Sequence, residues 1–124
     1  MGKYVIRKTP TGVKFDLHAA NGEIIATSEV YETVAACRKG IESVRKNGEK
    51  AKLQDLSESE KPVTNPKFEL FQDRAGAFRF RLKARNGSVI AVSDNYTTKA
   101  ACMNGIESVC RNAEISEIEE KEEA

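Results

Sequence analysis

The stretch KFDLHAANGEIIATSEVYETVAACRKGIESVRKNGE, from Lys14 to Glu49, decides the fold because the chain repeats it. The second copy reads RFRLKARNGSVIAVSDNYTTKAACMNGIESVCRNAE, from Arg79 to Glu114. About 20 of the 36 aligned positions are identical without a gap, which establishes an internal duplication. Each copy is near the lower size limit for burying its own core. The repeat therefore predicts two units that share one core.

An Asn-Gly pair marks the centre of a β-hairpin in each copy. Asn21-Gly22 and Asn86-Gly87 lie between alternating apolar and polar residues, a pattern that predicts a type I′ turn with positive φ at both positions. The expected core face of the first hairpin strand consists of Phe15, Leu17 and Ala19, or Phe80, Leu82 and Ala84. The expected solvent face consists of Lys14, Asp16 and His18, or Arg79, Arg81 and Lys83. Continuing the register past the turn places Ile25 and Ile90 on the solvent face.

Further strands flank the hairpin and the helix of each copy. The opening segments, Lys3 to Lys8 and Lys67 to Gln72, predict a third strand beside the hairpin. After the helices, Ala51 to Leu56 and Glu114 to Glu120 are candidate edge strands. The charge of the second candidate would equally suit a disordered tail.

The apolar period changes to that of a helix from Thr33 and again from Thr98. The residues at helical spacing are Cys37, Ile41 and Val44, and Cys102, Ile106 and Val109. The two threonines are candidate N-caps, and Asn47-Gly48 and Asn112-Ala113 are candidate helix ends.

Each predicted helix contains a glycine, Gly40 or Gly105, in its interior. Such a glycine costs about 1 kcal/mol relative to alanine, so its presence in both copies favours a close backbone contact over a hinge. The paired cysteines, Cys37 and Cys102, are predicted to pack as small apolar residues rather than to serve redox or metal chemistry. Cys110 has no counterpart, and an odd count without CxxC spacing argues against a disulfide framework.

These patterns predict an α+β fold of two tandem β3-α-β repeats related by pseudo-twofold symmetry. Residues 1–56 form repeat 1, residues 57–66 a linker with two prolines, and residues 67–124 repeat 2. The two repeats are expected to form one compact domain.

The motifs of the two copies together resemble a known family. The order RFRLKARNGSVIA, Tyr96 and KAACMNGIESV, with FDLHAANGEIIATSEVY in the first copy, resembles the YegP-like small bacterial proteins, an uncharacterised family of one or two such units. The resemblance implies one antiparallel sheet in which the repeats exchange their C-terminal strands. It implies no reaction, ligand or catalytic residue.

Composition narrows the class of protein. Hydrophobic residues make up 40% and charged residues 31% of the chain, and no apolar run approaches the roughly 18 residues of a membrane span. The N-terminus lacks the apolar core of a signal peptide, so a cytoplasmic protein without membrane association is the expectation. A monomer is expected, and further association of the chain stays open. The only histidine is His18, and no zinc spacing, phosphate loop or cofactor fingerprint occurs, so neither metal nor cofactor is expected.

A row of basic residues is the strongest functional signal. Arg79, Arg81, Lys83 and Arg85 recur at alternate positions of one predicted strand, with Arg74 nearby, and form a candidate anion or nucleic-acid surface. The net charge is only +1, but the last eleven residues contain six glutamates and one lysine. The absence of an exposed aromatic residue on this face argues against nucleic acid.

Three functional hypotheses remain open at this point. The first is a non-enzymatic interaction or structural module that binds a protein or a small ligand. The second is a weak nucleic-acid-binding protein that uses the basic strand of repeat 2. The third is an enzyme with a site at the pseudo-twofold axis, formed by Tyr31, Tyr96, Glu42 and Glu107.

Overall fold

Strands and helices follow each other in the same order in both halves of the computed structural model, which describes residues 2–48, 50–58, 63–113 and 117–120. The strands are β1 Lys3–Thr9, β2 Gly12–His18, β3 Ile24–Thr27, β4 Lys52–Asp55, β5 Lys67–Gln72, β6 Phe78–Lys83, β7 Val89–Val92 and β8 Glu117–Glu120. The helices are α1 Val34–Gly48 and α2 Lys99–Asn112. Among the described residues, neither helix has the length and apolar character needed to cross a membrane. Part of the predicted linker, residues 59–62, lies outside the described residues, as do residues 114–116 of the last candidate strand and the end of the chain, 121–124.

All the strands join one sheet in the order β4-β5-β6-β7-β3-β2-β1-β8. The last strand of each repeat pairs with the first strand of the other, which confirms the predicted exchange of C-terminal strands. The six central strands pair antiparallel, whereas both exchanged strands pair parallel, unlike the antiparallel sheet predicted throughout.

The path of the helices explains the parallel edges. Helix α2 contacts β6 of its own repeat. At its end, the carbonyl oxygen of Ala113 accepts a 2.5 Å hydrogen bond from the hydroxyl of Tyr4, which lies near the start of β1. The chain then enters β8 at the same end of the sheet at which β1 begins. The two strands therefore run in the same direction.

Both helices cover one face of the sheet and enclose the core. Four aromatic rings from the first two strands of each repeat are completely or almost completely buried: Tyr4, Phe15, Phe68 and Phe80. They form two edge-to-face pairs with ring centroids 5.8 Å apart, one pair in each repeat. The predicted apolar residues of the helices pack on these rings in a single cluster. Among the described residues, no element covers the other face.

The hairpin turns differ from the predicted type I′ geometry. Gly22 has a positive φ of 86°, but none of the non-glycine residues that the structure describes has one, so Asn21 is not left-handed. The Gly22 amide donates to the carbonyl oxygen of Ala19, and Asn21 Oδ1 accepts a hydrogen bond from the amide of Glu23. The backbone therefore forms a turn that ends in a left-handed glycine, the pattern of a longer hairpin loop with a bulge. Gly87 has the same conformation in repeat 2.

A second bulge, which lies within the paired strands of each hairpin, reverses the predicted orientation of two isoleucines. Leu17 pairs with Ala26, but the next residue, His18, pairs with Ile24, so Ile25 is left over between them. Ile25 turns into the core, where it is 6% exposed, while Ile24 is 47% exposed. Ile90 is buried in the same way in repeat 2. Strict alternation across the turn was the wrong assumption, because the bulge adds one residue to the second strand.

The helix glycines lie against tyrosine side chains. A Cβ atom added at Gly40 would overlap the hydroxyl and Cζ of Tyr31, and one added at Gly105 would overlap the same atoms of Tyr96 and approach Phe80. Each tyrosine ring stacks on a core phenylalanine of its own repeat, Phe15 or Phe80. The close contact that the sequence predicts is thus with a tyrosine rather than with another backbone.

Replacing either glycine with valine will destabilise the fold by overpacking this contact, by about 1 to 3 kcal/mol. We expect Gly105→Val to cost more than Gly40→Val, because Phe80 also stands in the way. The measurement is the free energy of unfolding in urea, with Lys39→Val at an exposed position of the same helix as the control. Tyr31→Ala should recover part of the loss in the Gly40→Val background. Additive effects of the two changes would show that Tyr31 is not the obstacle.

Candidate functional site

The open face, as we call the sheet surface opposite the helices, is lined by the residues that alternate with the core rows. Residues that pair with each other from strand to strand form one row across the whole of this face: Glu119, Val5, Asp16, Thr27, Val92, Arg81, Glu69 and Gln54. The pseudo-twofold axis passes between Thr27 and Val92, where β3 pairs with β7. The axis therefore divides the open face into two halves, and each half contains three strands of one repeat and the exchanged strand of the other.

The half formed by β4, β5 and β6 is strongly basic. It carries five cationic residues, Lys52, Lys67, Arg79, Arg81 and Lys83, and one carboxylate, Glu69. We call this set the basic half. Three of the cations contact the carboxylate, with nitrogen–oxygen distances of 2.6 Å from Arg81, 3.3 Å from Lys67 and 3.4 Å from Lys83. These four residues form the Glu69 cluster, which keeps an excess of positive charge.

Glu69 is buried by the side chains that bind it, with only 5% of its surface exposed. Burial alone would raise its pKa, but hydrogen bonds from Arg81 and Lys67 outweigh this effect and hold the pKa below its ordinary value. Lys67 also donates a 2.5 Å hydrogen bond to Gln54 of the exchanged strand. The cluster therefore joins β4, β5 and β6 as an ionised network.

An aromatic side chain also lies on the basic half, contrary to the prediction from the sequence. Phe71 follows Glu69 at the next outward position of β5 and is half-buried. The guanidinium carbon of Arg81 lies over its ring, 4.6 Å from the ring centre. Sequence reasoning missed Phe71 because it counted aromatic residues only on β6. The register of β5 against β6, in which Phe71 pairs with Arg79, is the signal that places it there.

The predicted basic row divides into three positions on the strand and two beyond it. Arg79, Arg81 and Lys83 lie on the open face of β6 and are half-buried. Arg85 lies past the end of the strand, in the hairpin loop, and is exposed. Arg74 is exposed in the turn before the strand. The row is therefore shorter than predicted, and its central members contact Glu69 instead of facing open solvent.

The other half of the open face, formed by β3, β2, β1 and β8, is close to neutral. Asp16, predicted to face solvent, is only 4% exposed. Its carboxylate accepts 2.7 Å hydrogen bonds from Arg7 Nε and from the Thr27 hydroxyl. Asp16 occupies the position that Arg81 has in repeat 2. The acidic partner of the ion pair therefore lies on the second strand of repeat 1 but on the first strand of repeat 2.

The glutamates of β8 lie far from the basic half. Strand β8, which carries Glu117 and Glu119, forms the sheet edge opposite to β4. Five strand spacings separate β8 from β6, or about 24 Å. This distance exceeds the screening length of about 8 Å at physiological salt. The glutamates of β8 therefore do not neutralise the basic strand.

The third hypothesis, an enzyme site at the axis, is not supported by the geometry. Tyr31 lies against Gly40 on one side of α1, and Glu42, two residues further, projects from nearly the opposite side of the helix. Glu42 forms a 2.7 Å ion pair with Arg45 on the exposed surface. Burial raises the pKa values of the Tyr31 and Tyr96 hydroxyls, which makes both weaker acids than an exposed tyrosine. Within the described residues, no group of three or more metal-ligating side chains converges.

The cysteines of the two helices lie in the core. Cys37 and Cys102 are fully buried, and burial raises the pKa of each thiol to about 11. Both therefore remain thiols and pack as small apolar groups. Cys110 is partly buried and donates a weak hydrogen bond to the carbonyl oxygen of Gly48.

Two segments of the chain match one family model. Residues 12–55 and 73–120 both match the model described as "Domain of unknown function (DUF1508)". The chain belongs to the DUF1508 family. A UPF0339 protein of Pseudomonas aeruginosa is 41% identical over 110 residues, which cover 88% of this chain and 87% of that protein. The solution structure of yegP from E. coli, described as a protein of unknown function, has 31% identity and a TM-score of 0.77 over 97% of this chain and 92% of that chain.

Another relative has about the length of one repeat. A UPF0339 protein of Treponema denticola is 60% identical over 47 residues, which are 38% of this chain but 81% of that protein. These DUF1508 comparisons confirm the resemblance to the YegP-like family and the two-repeat architecture. The family description names no reaction and no ligand.

Proposed function

We propose that this chain is a non-catalytic binding module whose basic half binds the phosphate backbone of a nucleic acid. The observation that carries the proposal is the charge of the basic half, five cationic residues against one carboxylate, on a face that no described element covers. Such a surface complements an extended polyanion. Arginine suits this partner because its planar guanidinium can donate two parallel hydrogen bonds to one phosphate.

A comparison of the two copies supports the proposal. The residues that face the helices keep their character, as in Phe15 and Phe80 or Leu17 and Leu82. The open face does not, because Val5 corresponds to Glu69 and Arg7 to Phe71. The fold itself therefore does not require a basic sheet face. Four of the five cations belong to repeat 2, and the fifth, Lys52, comes from the exchanged strand of repeat 1.

Arg79 and Arg85 are the residues with which to test the proposal. Arg79 forms no ion pair with any described residue, and Arg85 is exposed in the adjacent loop, so neither belongs to the Glu69 cluster. The matched control is Lys14→Gln with Lys39→Gln. It removes the same charge from the other half of the open face and from the helix layer.

Binding of a mixed-sequence single-stranded oligonucleotide, measured by fluorescence anisotropy at several salt concentrations, is the experiment. We expect a dissociation constant between about 10⁻⁴ and 10⁻⁶ M at physiological salt, weakening as salt is added. Arg79→Gln with Arg85→Gln should weaken binding about tenfold, because two phosphate contacts are lost, while the control pair stays within about twofold of the wild type. An equal loss of affinity in the two double variants would overturn the proposal. The absence of salt-sensitive binding, or a preference for an acidic polypeptide over the oligonucleotide, would also overturn it.

A further inference from the structure

We infer that the basic half binds a single strand rather than a duplex, with an unpaired base stacked on the guanidinium of Arg81. This inference rests on the proposed function and adds to it the class of nucleic acid. The base platform, as we call the pair Phe71 and Arg81, is the feature that carries it. A base presents its flat face only where it is not stacked inside a duplex.

The guanidinium of Arg81 is held in place from two directions. Its Nε atom donates a 2.6 Å hydrogen bond to Glu69 Oε1, and its central carbon lies 4.6 Å from the centre of the Phe71 ring. The side chain of Arg81 is still 34% exposed. The guanidinium thus rests on an aromatic ring and reaches solvent, and a fixed guanidinium plane is a surface on which nucleobases stack.

Cationic residues lie on both sides of the base platform along the same strand. Arg79 and Lys83 are each two residues from Arg81 on the same face of β6, which is a distance of about 7 Å. Lys67 pairs with Lys83 across the next strand. A strand whose base stacks on the platform would therefore have its neighbouring phosphates beside positive charges. This combination of an aromatic support and a basic track is typical of single-strand binding surfaces.

The described part of repeat 1 contains no equivalent platform, so we expect one such base site in each chain. Arg7 stands at the position of Phe71, and Asp16 at that of Arg81. Their side chains bind each other through Arg7 Nε and Asp16 Oδ2, and they present neither an aromatic ring nor an uncompensated cation.

Two variants distinguish the effect of the planar guanidinium of Arg81 from the effect of its positive charge. Arg81→Lys keeps a cation beside Glu69 but removes the planar group, and Arg79→Lys makes the same change at a position outside the platform. Three probes of equal length complete the design: a mixed-sequence single-stranded oligonucleotide, an abasic oligomer with the same phosphates, and the oligonucleotide annealed to its complement. Thermal melting of each variant checks that the fold is intact.

We expect the wild type to bind the single strand at least about fivefold more tightly than the abasic oligomer. Arg81→Lys should lower the affinity for the single strand to that of the abasic oligomer and leave the abasic affinity unchanged. Arg79→Lys should preserve the ratio. Equal wild-type affinities for the single-stranded and abasic probes, a preference for the duplex, or an unchanged ratio in Arg81→Lys would overturn the inference. If any of these results is obtained but binding is still salt-sensitive, the inference is wrong and the proposed function is retained. If the protein binds none of the probes, both the inference and the proposed function are wrong.

Discussion

Residues 1–59 expressed alone will be unfolded or dimeric, and will not form a stable monomer. In the complete chain, β1 is paired with β8 of the other repeat, β3 with β7, and β4 with β5. Separation of the repeats removes all of these pairings at once and uncovers the part of the core that the helix of the other repeat protects. A single repeat is also near the lower size limit at which a chain can bury enough apolar surface for independent stability.

Size-exclusion chromatography with light scattering, followed by urea unfolding, provides the measurement. A dimer would rebuild the exchanged sheet from two identical repeats, as an isologous assembly with twofold symmetry. Mixing residues 1–59 with residues 67–124 should give a one-to-one complex with the circular dichroism spectrum of the complete chain. A monomeric half that unfolds cooperatively would disprove the shared core.

Arg81→Glu combined with Lys83→Glu will destabilise the protein by about 3 kcal/mol or more, and not only alter its binding. Both residues contact Glu69, which is almost completely buried, so the variant would place three carboxylates together with only Lys67 to compensate them. Removing the partner of a buried charge costs several kcal/mol because the charge remains without compensation. Urea unfolding measures the loss.

Arg79→Glu with Arg85→Glu is the control, since it makes the same change in net charge without touching Glu69. We expect this pair to cost clearly less than the first, because neither replaced arginine contacts the buried carboxylate of Glu69. Placing Glu69→Gln in the Arg81→Glu and Lys83→Glu background should recover more than half of the lost stability. Equal losses in the two charge-reversal pairs would contradict a special role for Glu69.

Acid should weaken the same cluster in the wild type. The pKa of Glu69 is lower in the folded protein than its ordinary value of 4.5, so its ion pairs stabilise the fold fully above that value. This contribution is lost as the pH falls below 4.5 and through the folded pKa. Glu69→Gln should therefore show a smaller loss of stability between neutral and acidic pH than the wild type.

The candidate site was predicted only in part. The sequence identifies the basic residues of β6, because alternation along one strand is a local pattern. It does not reveal that Glu69 binds three cations, or that Phe71 lies under Arg81, because these contacts depend on how β5 pairs with β6. Arg81 and Lys83 consequently have a structural role that an exposed basic row would not predict.

The sequence by itself determines the duplication, the helices and the core rows, because each depends on the spacing of residues within one segment. Tertiary structure alone decides the buried position of Ile25, which follows from a bulge in the hairpin, and the parallel direction of β4 and β8. It also decides that Asp16 and Glu69 are buried. These features are fixed by the pairing between strands, and the stability of each pairing depends on residues that are distant in the chain. A periodic pattern in the sequence indicates only which side of its own strand or helix a residue occupies.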